Sequence, residues 1–326
     1  MDDILNLAAS NLLTPAVLFF ALGLTAGLLR SDLTVPDSAA KTLSLYLMLA
    51  IGFKGGVEAA KAGLSGDFMG AAGAGVILSF AIPALAFFIL RAISTLDRTT
   101  AAATAAHYGS VSVVTFVAGT EYLRAQGVDF GGYMVAVVAL METPAILTAL
   151  LLAGSAGASA GKQGLKGELA REVLLNGSVV LLVGAFVIGA ITGEKGMTRL
   201  DVFVGPLFQG VLCLFLLDMG LVAARRLREA RALTLRLVLF GLCMPLISFA
   251  LSIGLSFLFG LRAEDAAVLG VLAASASYIA VPAAMRIALP KADPGVYLTL
   301  SLGVTFPFNL TIGVPLYAAL TRLILA

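Results

Sequence analysis

Apolar runs of roughly 20 residues alternate along the chain with short stretches of charge, glycine and proline. The runs fall near residues 11–29, 39–60, 69–90, 99–123, 133–153, 173–192, 202–223, 235–259, 266–289 and 296–320. As a helix, a run of about 20 residues crosses a hydrocarbon core of roughly 30 Å, whereas a barrel strand needs only about 10 alternating residues. The pattern predicts an all-α integral membrane protein with ten transmembrane helices, numbered here as spans 1 to 10.

Composition agrees with that reading. Of 326 residues 60% are hydrophobic and only 12% charged, too few polar groups to coat a soluble globule. Mean hydropathy is +1.03. The 35 glycines suit close helix approach. The opening MDDILNLAAS is acidic where a secretory signal would be basic, so the first run is expected to stay as a helix. Cys213 and Cys243 lie inside apolar runs and are expected to be buried small hydrophobes. A formal charge of +2 gives no nucleic-acid signal.

Charge also orients the spans. With ten crossings, fourteen lysines and arginines share one side and six the other, with Lys54 inside the membrane. The positive-inside bias places both termini outside and the linker GSAGASAGKQGLKGELARE in the cytoplasm. The linker, over 154–170, separates a half at 1–153 from a half at 171–326. The halves resemble each other: Gly56 aligns with Gly220 (220 − 56 = 164), Ser110 with Ser275 (275 − 110 = 165) and Ser112 with Ser277. Pro83 with Pro245 and Pro144 with Pro307 follow at nearly the same offset. Five spans per repeat force the second copy to be inverted, an architecture of secondary transporters.

Inside span 4 the string AAHYGSVSVVTF holds the chain's single histidine, two serines and a glycine, and SASYIAV occupies the matching place in span 9. The polar strings suit helices 4 and 9 that break near mid-membrane and aim two half-helix N-termini, with serine hydroxyls, at a small anion. Isolated motifs of this kind also serve close packing, with hydroxyls bonded back to their own helix. Their recurrence in both repeats favours a site. His107 suits packing, a substrate hydrogen bond or a cap on the upstream half-helix. No lysine or arginine lies between Thr99 and Leu123 or between Ala266 and Met285, which points to a monoanion rather than phosphate or sulfate.

Four ionisable residues lie deep in the spans, each costing at least about 2.5 kcal/mol to insert. Lys54 stands four residues before Glu58 and aligns with Asp218, so a Lys54–Glu58 or cross-repeat Lys54–Asp218 ion pair would make these three structural. Glu142 has no basic partner in its span. Oxygens from Glu142, Asn309, Ser110 and Thr115 are hard ligands suited to sodium. An ATP-driven pump lacks its phosphate loop here, and a membrane enzyme lacks H-E-x-x-H and G-x-S-x-G motifs. A channel could use the same polar crossing.

The stretch from NLLTPAVLFF through GFKGGVE, together with AAHYGSVSVVTF and the late FPFN, resembles the sodium-dependent bicarbonate transporter family (SbtA) over essentially the whole chain. The resemblance implies a sodium-coupled bicarbonate symporter of the bacterial inner membrane, a homotrimer that works by elevator-like movement. It implies a gate domain from helices 1, 2, 6 and 7, a core domain from helices 3–5 and 8–10, and a PII-like regulator on the cytoplasmic face. Carried over by motif, the substrate site would hold Gly109, Ser110, Ser112, Ser275, Ser277 and Tyr278. No cofactor beyond the coupling sodium is implied. Another small monoanion, or sodium/proton exchange through Glu142, is the alternative reading.

Overall fold

The computed structural model describes residues 13–62, 66–154, 177–229 and 233–325. The acidic N-terminal stretch and the linker beyond Gly154 lie outside the described residues. The described helices are α1 (Pro15–Leu28), α2 (Asp37–Ala62), α3 (Gly66–Ile93), α4 (Arg98–Gly109), α5 (Val113–Ala125) and α6 (Met134–Ala153). They continue with α7 (Gly177–Val204), α8 (Pro206–Glu229), α9 (Leu235–Leu258), α10 (Ala263–Ala273), α11 (Ala280–Ala288) and α12 (Pro294–Leu325). Among the described residues there is no strand. Among the described residues eight segments are long and apolar enough to cross a membrane, with α4 and α5 taken as one; α1 is apolar but has only 14 residues. The protein is a multi-pass helical membrane protein.

Most helix ends fall within a few residues of the apolar runs, as at α9. The exception is 193–201, expected as a loop, where α7 instead bends at Gly193 (φ 54°, ψ −144°) and continues to Val204. Only glycine takes that conformation without strain. The polar GEKGMTRLD segment carries no lipid-burial signal, so hydropathy ended the span early. What holds its end is α2: the Tyr46 ring packs edge-on to Phe203 at 4.9 Å and its hydroxyl donates to the Phe203 carbonyl.

Glycine sets the tightest packing, α1 on α8 and α2 on α7. A methyl on Gly56 would overlap the carbonyl oxygen of Phe186, and one on Gly220 that of Phe20. Likewise Gly189 meets the carbonyl of Phe53, and Gly23 that of Leu217. Each contact in one helix pair recurs in the other, at 166 residues (186 − 20, 189 − 23) or 164 (217 − 53, 220 − 56). A similar exchange ties the two halves elsewhere. In the first turn of α4, Thr100 Oγ1 accepts from the Asp293 N–H at 3.1 Å; in the first turn of α10, Asp265 Oδ1 accepts from the Gly131 N–H at 2.7 Å.

The remaining helices form a second group, in which α4 is almost wholly buried against α3 and α6. Prolines stand inside α3, α6 and α9. In α12 the turns around Pro307 widen to π-helix over Thr299–Thr305 and Asn309–Gly313. Such turns recur at functional sites.

The expected ion pairs of Lys54 do not form. Glu58 pairs instead with Arg124 of α5, Nη2 to Oε1 at 3.0 Å, and the Lys54 ammonium sits 5.1 Å over the Phe208 ring. Facing direction decides this: Glu58 points along the seam toward α5 while Lys54 lies over α8. Asp218 is buried in α8 and makes no ion pair among the described residues. Cys243 is exposed rather than buried, because α9 turns that face outward; Cys213 is half-buried.

Candidate functional site where two helices are interrupted

Residue types dictate where α4 stops and α5 starts. Asp97 caps the N-terminus of α4, accepting from the N–H groups of Thr99 and Thr100 at 2.9 and 3.0 Å. At the other end Gly109 lies against the Pro83 ring of α3, where a Cβ would overlap it. Ser110 then turns extended (φ −90°, ψ 165°), as does Ser112 (φ −98°, ψ 110°), and the helix restarts at Val113. The Ser112 hydroxyl accepts from the Thr115 N–H at 3.1 Å, an N-cap. In the second half α10 ends at Ala273 and α11 begins at Ala280, with Pro282 in its first turn, where a missing N–H leaves no broken bond.

The two interruptions complete each other. The Ser112 N–H donates to Ser275 Oγ at 2.9 Å, and the Ser277 N–H donates to the His107 carbonyl at 2.7 Å. Ser275 Oγ in turn donates to the Leu272 carbonyl at 2.7 Å, so its hydroxyl is occupied on both sides. Asn309 Nδ2 donates to the Ala274 carbonyl at 2.8 Å, and its Oδ1 accepts from Tyr317 at 2.9 Å. Asn309 therefore holds the end of α10. Tyr108 donates to Thr305, whose own hydroxyl donates to the Gly241 carbonyl at 2.8 Å. His107 packs: Nδ1 bonds to the Ala103 carbonyl at 2.7 Å, and the ring stacks on Tyr297 at 4.4 Å. Because a carbonyl only accepts, Nδ1 carries the proton and the buried Nε2 is a bare acceptor.

Beside the crossing lies a cavity of about 10 Å³ lined by Ser112, Glu142, Ser277, Tyr278 and, from α2, Met48. A space of roughly 10–15 Å³ holds one water-sized particle. Glu142 is 6% exposed, and among the described residues its carboxylate has no hydrogen bond or ion pair. Tyr278 stands beside Ser112 outside hydrogen-bonding geometry, its ring edge-on to Phe306 at 5.5 Å. The hydroxyls of Ser110 and Thr115 are buried without partners. The Glu142 carboxylate thus lies beside a space for one water-sized particle, next to two half-helix N-termini each worth roughly half a positive charge, with the unspent hydroxyls of Ser110 and Thr115 in the surrounding interruption. Such a set offers oxygen ligands to a small cation and N–H donors to a small anion.

Of the residues expected at the site, Ser112, Glu142, Ser277 and Tyr278 line the cavity together. Gly109, Ser110, Thr115 and Ser275 build the two interruptions around it, and Asn309 braces α10. Sequence reasoning missed Asp265. Wholly buried, it accepts from the Tyr133 hydroxyl at 2.7 Å and pairs with Arg262 Nη2 at 2.7 Å, besides the Gly131 N–H. Its place in the first turn of a half-helix was the available signal.

Two interrupted helices meeting beside a small buried space belong here to a multi-pass helical membrane protein. Residues 15–322 match the model of the Na+-dependent bicarbonate transporter superfamily, and the chain belongs to that family. The family is one of transporters, so the protein is not an enzyme. No curated protein matches the chain.

Proposed function

We propose that the protein is a symporter that takes up bicarbonate with sodium by elevator-like alternating access. The observation that carries this reading is the exchange of hydrogen bonds between the two interruptions beside the unpaired Glu142. Bicarbonate would lie against the tips of α5 and α11, contacted by Gly109, Ser110, Ser112, Ser275, Ser277 and Tyr278. Sodium would bind Glu142 with the hydroxyls of Ser110 and Thr115 and the neighbouring Asn309. The sodium charge offsets both the carboxylate and the incoming anion, which makes binding of the two ions mutually favourable.

The eight membrane-length segments, α1 and the α10–α11 pair together make ten crossings, with α4–α5 and α10–α11 as the broken helices 4 and 9. Recurrence of the glycine contacts at a near-constant offset supports two inverted five-helix repeats. α1, α2, α7 and α8 would be the gate domain, and the other helices the core that moves. The family resemblance extends the reading to a homotrimer in a bacterial inner membrane, both termini outside, with a PII-like regulator on the cytoplasmic face.

The experiment is uptake of radiolabelled bicarbonate into proteoliposomes with and without an inward sodium gradient. Uptake that requires sodium is expected. Sodium-independent uptake would exclude symport, and no uptake by folded protein would turn the search to another small monoanion.

A further inference from the structure

The two helix groups meet along a seam, and at one end of it the contacts are polar. α5 carries Glu121 and Arg124, whose charged ends are 3.8 Å apart. Arg124 Nη2 crosses to α2, 3.0 Å from Glu58 Oε1 and 3.2 Å from Oε2. Glu121 accepts from the Gln209 amide of α8. One turn of α5 thus holds two different helices of the opposite group. Alongside, Gly132 packs so closely on α2 that a methyl there would overlap Glu58 Cβ. This end of the seam is shut.

Among the described residues the opposite end does not repeat these bonds. At the repeat offsets Glu58 corresponds to Val222 (58 + 164), Arg124 to Leu289 (124 + 165) and Gln209 to Leu45 (209 − 164). Glu121 corresponds to Arg286 (121 + 165), but with Val222, Leu289 and Leu45 as the other three counterparts neither the Glu58–Arg124 nor the Glu121–Gln209 bond has an equivalent pair. Inverted repeats give a carrier two nearly equivalent conformers, each closed at one end, so bonds present at a single end tilt the balance toward the conformer in which they form. Each pair is partly exposed and individually weak, but the bonds break together when the groups separate.

We infer that Glu58, Glu121, Arg124 and Gln209 form a one-sided latch that keeps the end of the seam at the C-termini of α2 and α5 closed at rest. The inference rests on the two-body movement proposed above. In the orientation given there the latch lies on the outer face. The resting carrier therefore faces the cytoplasm, and loading from outside waits for the latch to open.

Val135 is buried beside Gly55 in the same seam, and its replacement by cysteine in a Cys213→Ala, Cys243→Ala chain reports opening of that end. Labelling in proteoliposomes with a membrane-impermeant maleimide is expected to be several-fold faster with Arg124→Gln or Glu58→Gln than in the parent. The double variant should be no faster than either single one, because both remove the same bond. Equal rates in parent and single variants, or rates that multiply in the double, overturn the latch. If Val135→Cys does not fold, hydrogen exchange over 126–133 serves instead. Faster exchange in Arg124→Gln supports the latch and unchanged exchange overturns it. Sodium-driven uptake in the same vesicles separates the two proposals. Latch-dependent labelling without uptake tells against symport alone, and uptake with latch-independent labelling tells against the latch alone.

Discussion

The backbone N–H of Ser112 donates to the hydroxyl of Ser275 at 2.9 Å, although the two residues are 163 positions apart. Each half of the chain leaves a helix open in an apolar interior where unpaired backbone groups are costly, and the other half supplies what is missing. Neither interruption is satisfied alone.

Ser275→Ala leaves the buried Ser112 N–H without its acceptor and is expected to lower stability by about 1–3 kcal/mol. Ser110→Ala removes a hydroxyl with no internal partner. It should leave the melting temperature unchanged while weakening apparent affinity for bicarbonate or sodium by roughly tenfold, the equivalent of about 1.4 kcal/mol. Thermal melts in detergent, paired with uptake titrations, separate the two outcomes.

Glu142→Gln removes a buried carboxylate that no described residue neutralises, so the variant should fold at least as stably as the parent. Sodium for half-maximal uptake should rise about tenfold or more, through loss of one charged ligand. An unaltered sodium dependence would take Glu142 out of the ion site.

Asp265→Asn weakens three contacts at once, to Arg262, Tyr133 and Gly131. The loss should be on the order of 3 kcal/mol, seen as a lower melting temperature and poor recovery of monodisperse protein. A variant as stable as the parent would show that the cluster is not holding the α5–α6 connection to α10.

Gly56→Ala and Gly220→Ala each force a methyl against a carbonyl of the facing helix. Overpacking of this kind typically costs about 1–3 kcal/mol. Because the two contacts recur at offsets of 164 (220 − 56) and 166 (186 − 20) residues, the two losses should be similar in size. Melts of the two variants side by side check this, and a large inequality would break the correspondence.

The membrane-embedded helices were legible because lipid demands a long apolar run, and that demand acts on each helix separately. The interruption at Ser110 and Ser112 was legible because polar residues in such a run stand out. Partner choice was not. Glu58 found Arg124 rather than Lys54 because pairing depends on rotation about the helix axis and on which helix stands opposite, and hydropathy encodes neither. Cys243 faces outward for the same reason. Asp265 looked like a flanking charge because two of its three partners, Gly131 and Tyr133, are more than 130 positions away. The helical course of 193–204 was hidden because a polar segment can be held by contacts such as Tyr46 to Phe203 without touching lipid.

The contacts of Gly56 with Phe186 and of Gly220 with Phe20 are of backbone against backbone, without a layer of side chains between. Side chains can change rotamer and absorb displacement; a main chain pressed on a main chain has no such slack. The α1–α8 and α2–α7 pairs are therefore stiff joints. Mechanical compliance is left to surfaces padded by flexible groups, such as Met48 facing the interrupted helices, and deformation of the molecule will concentrate there.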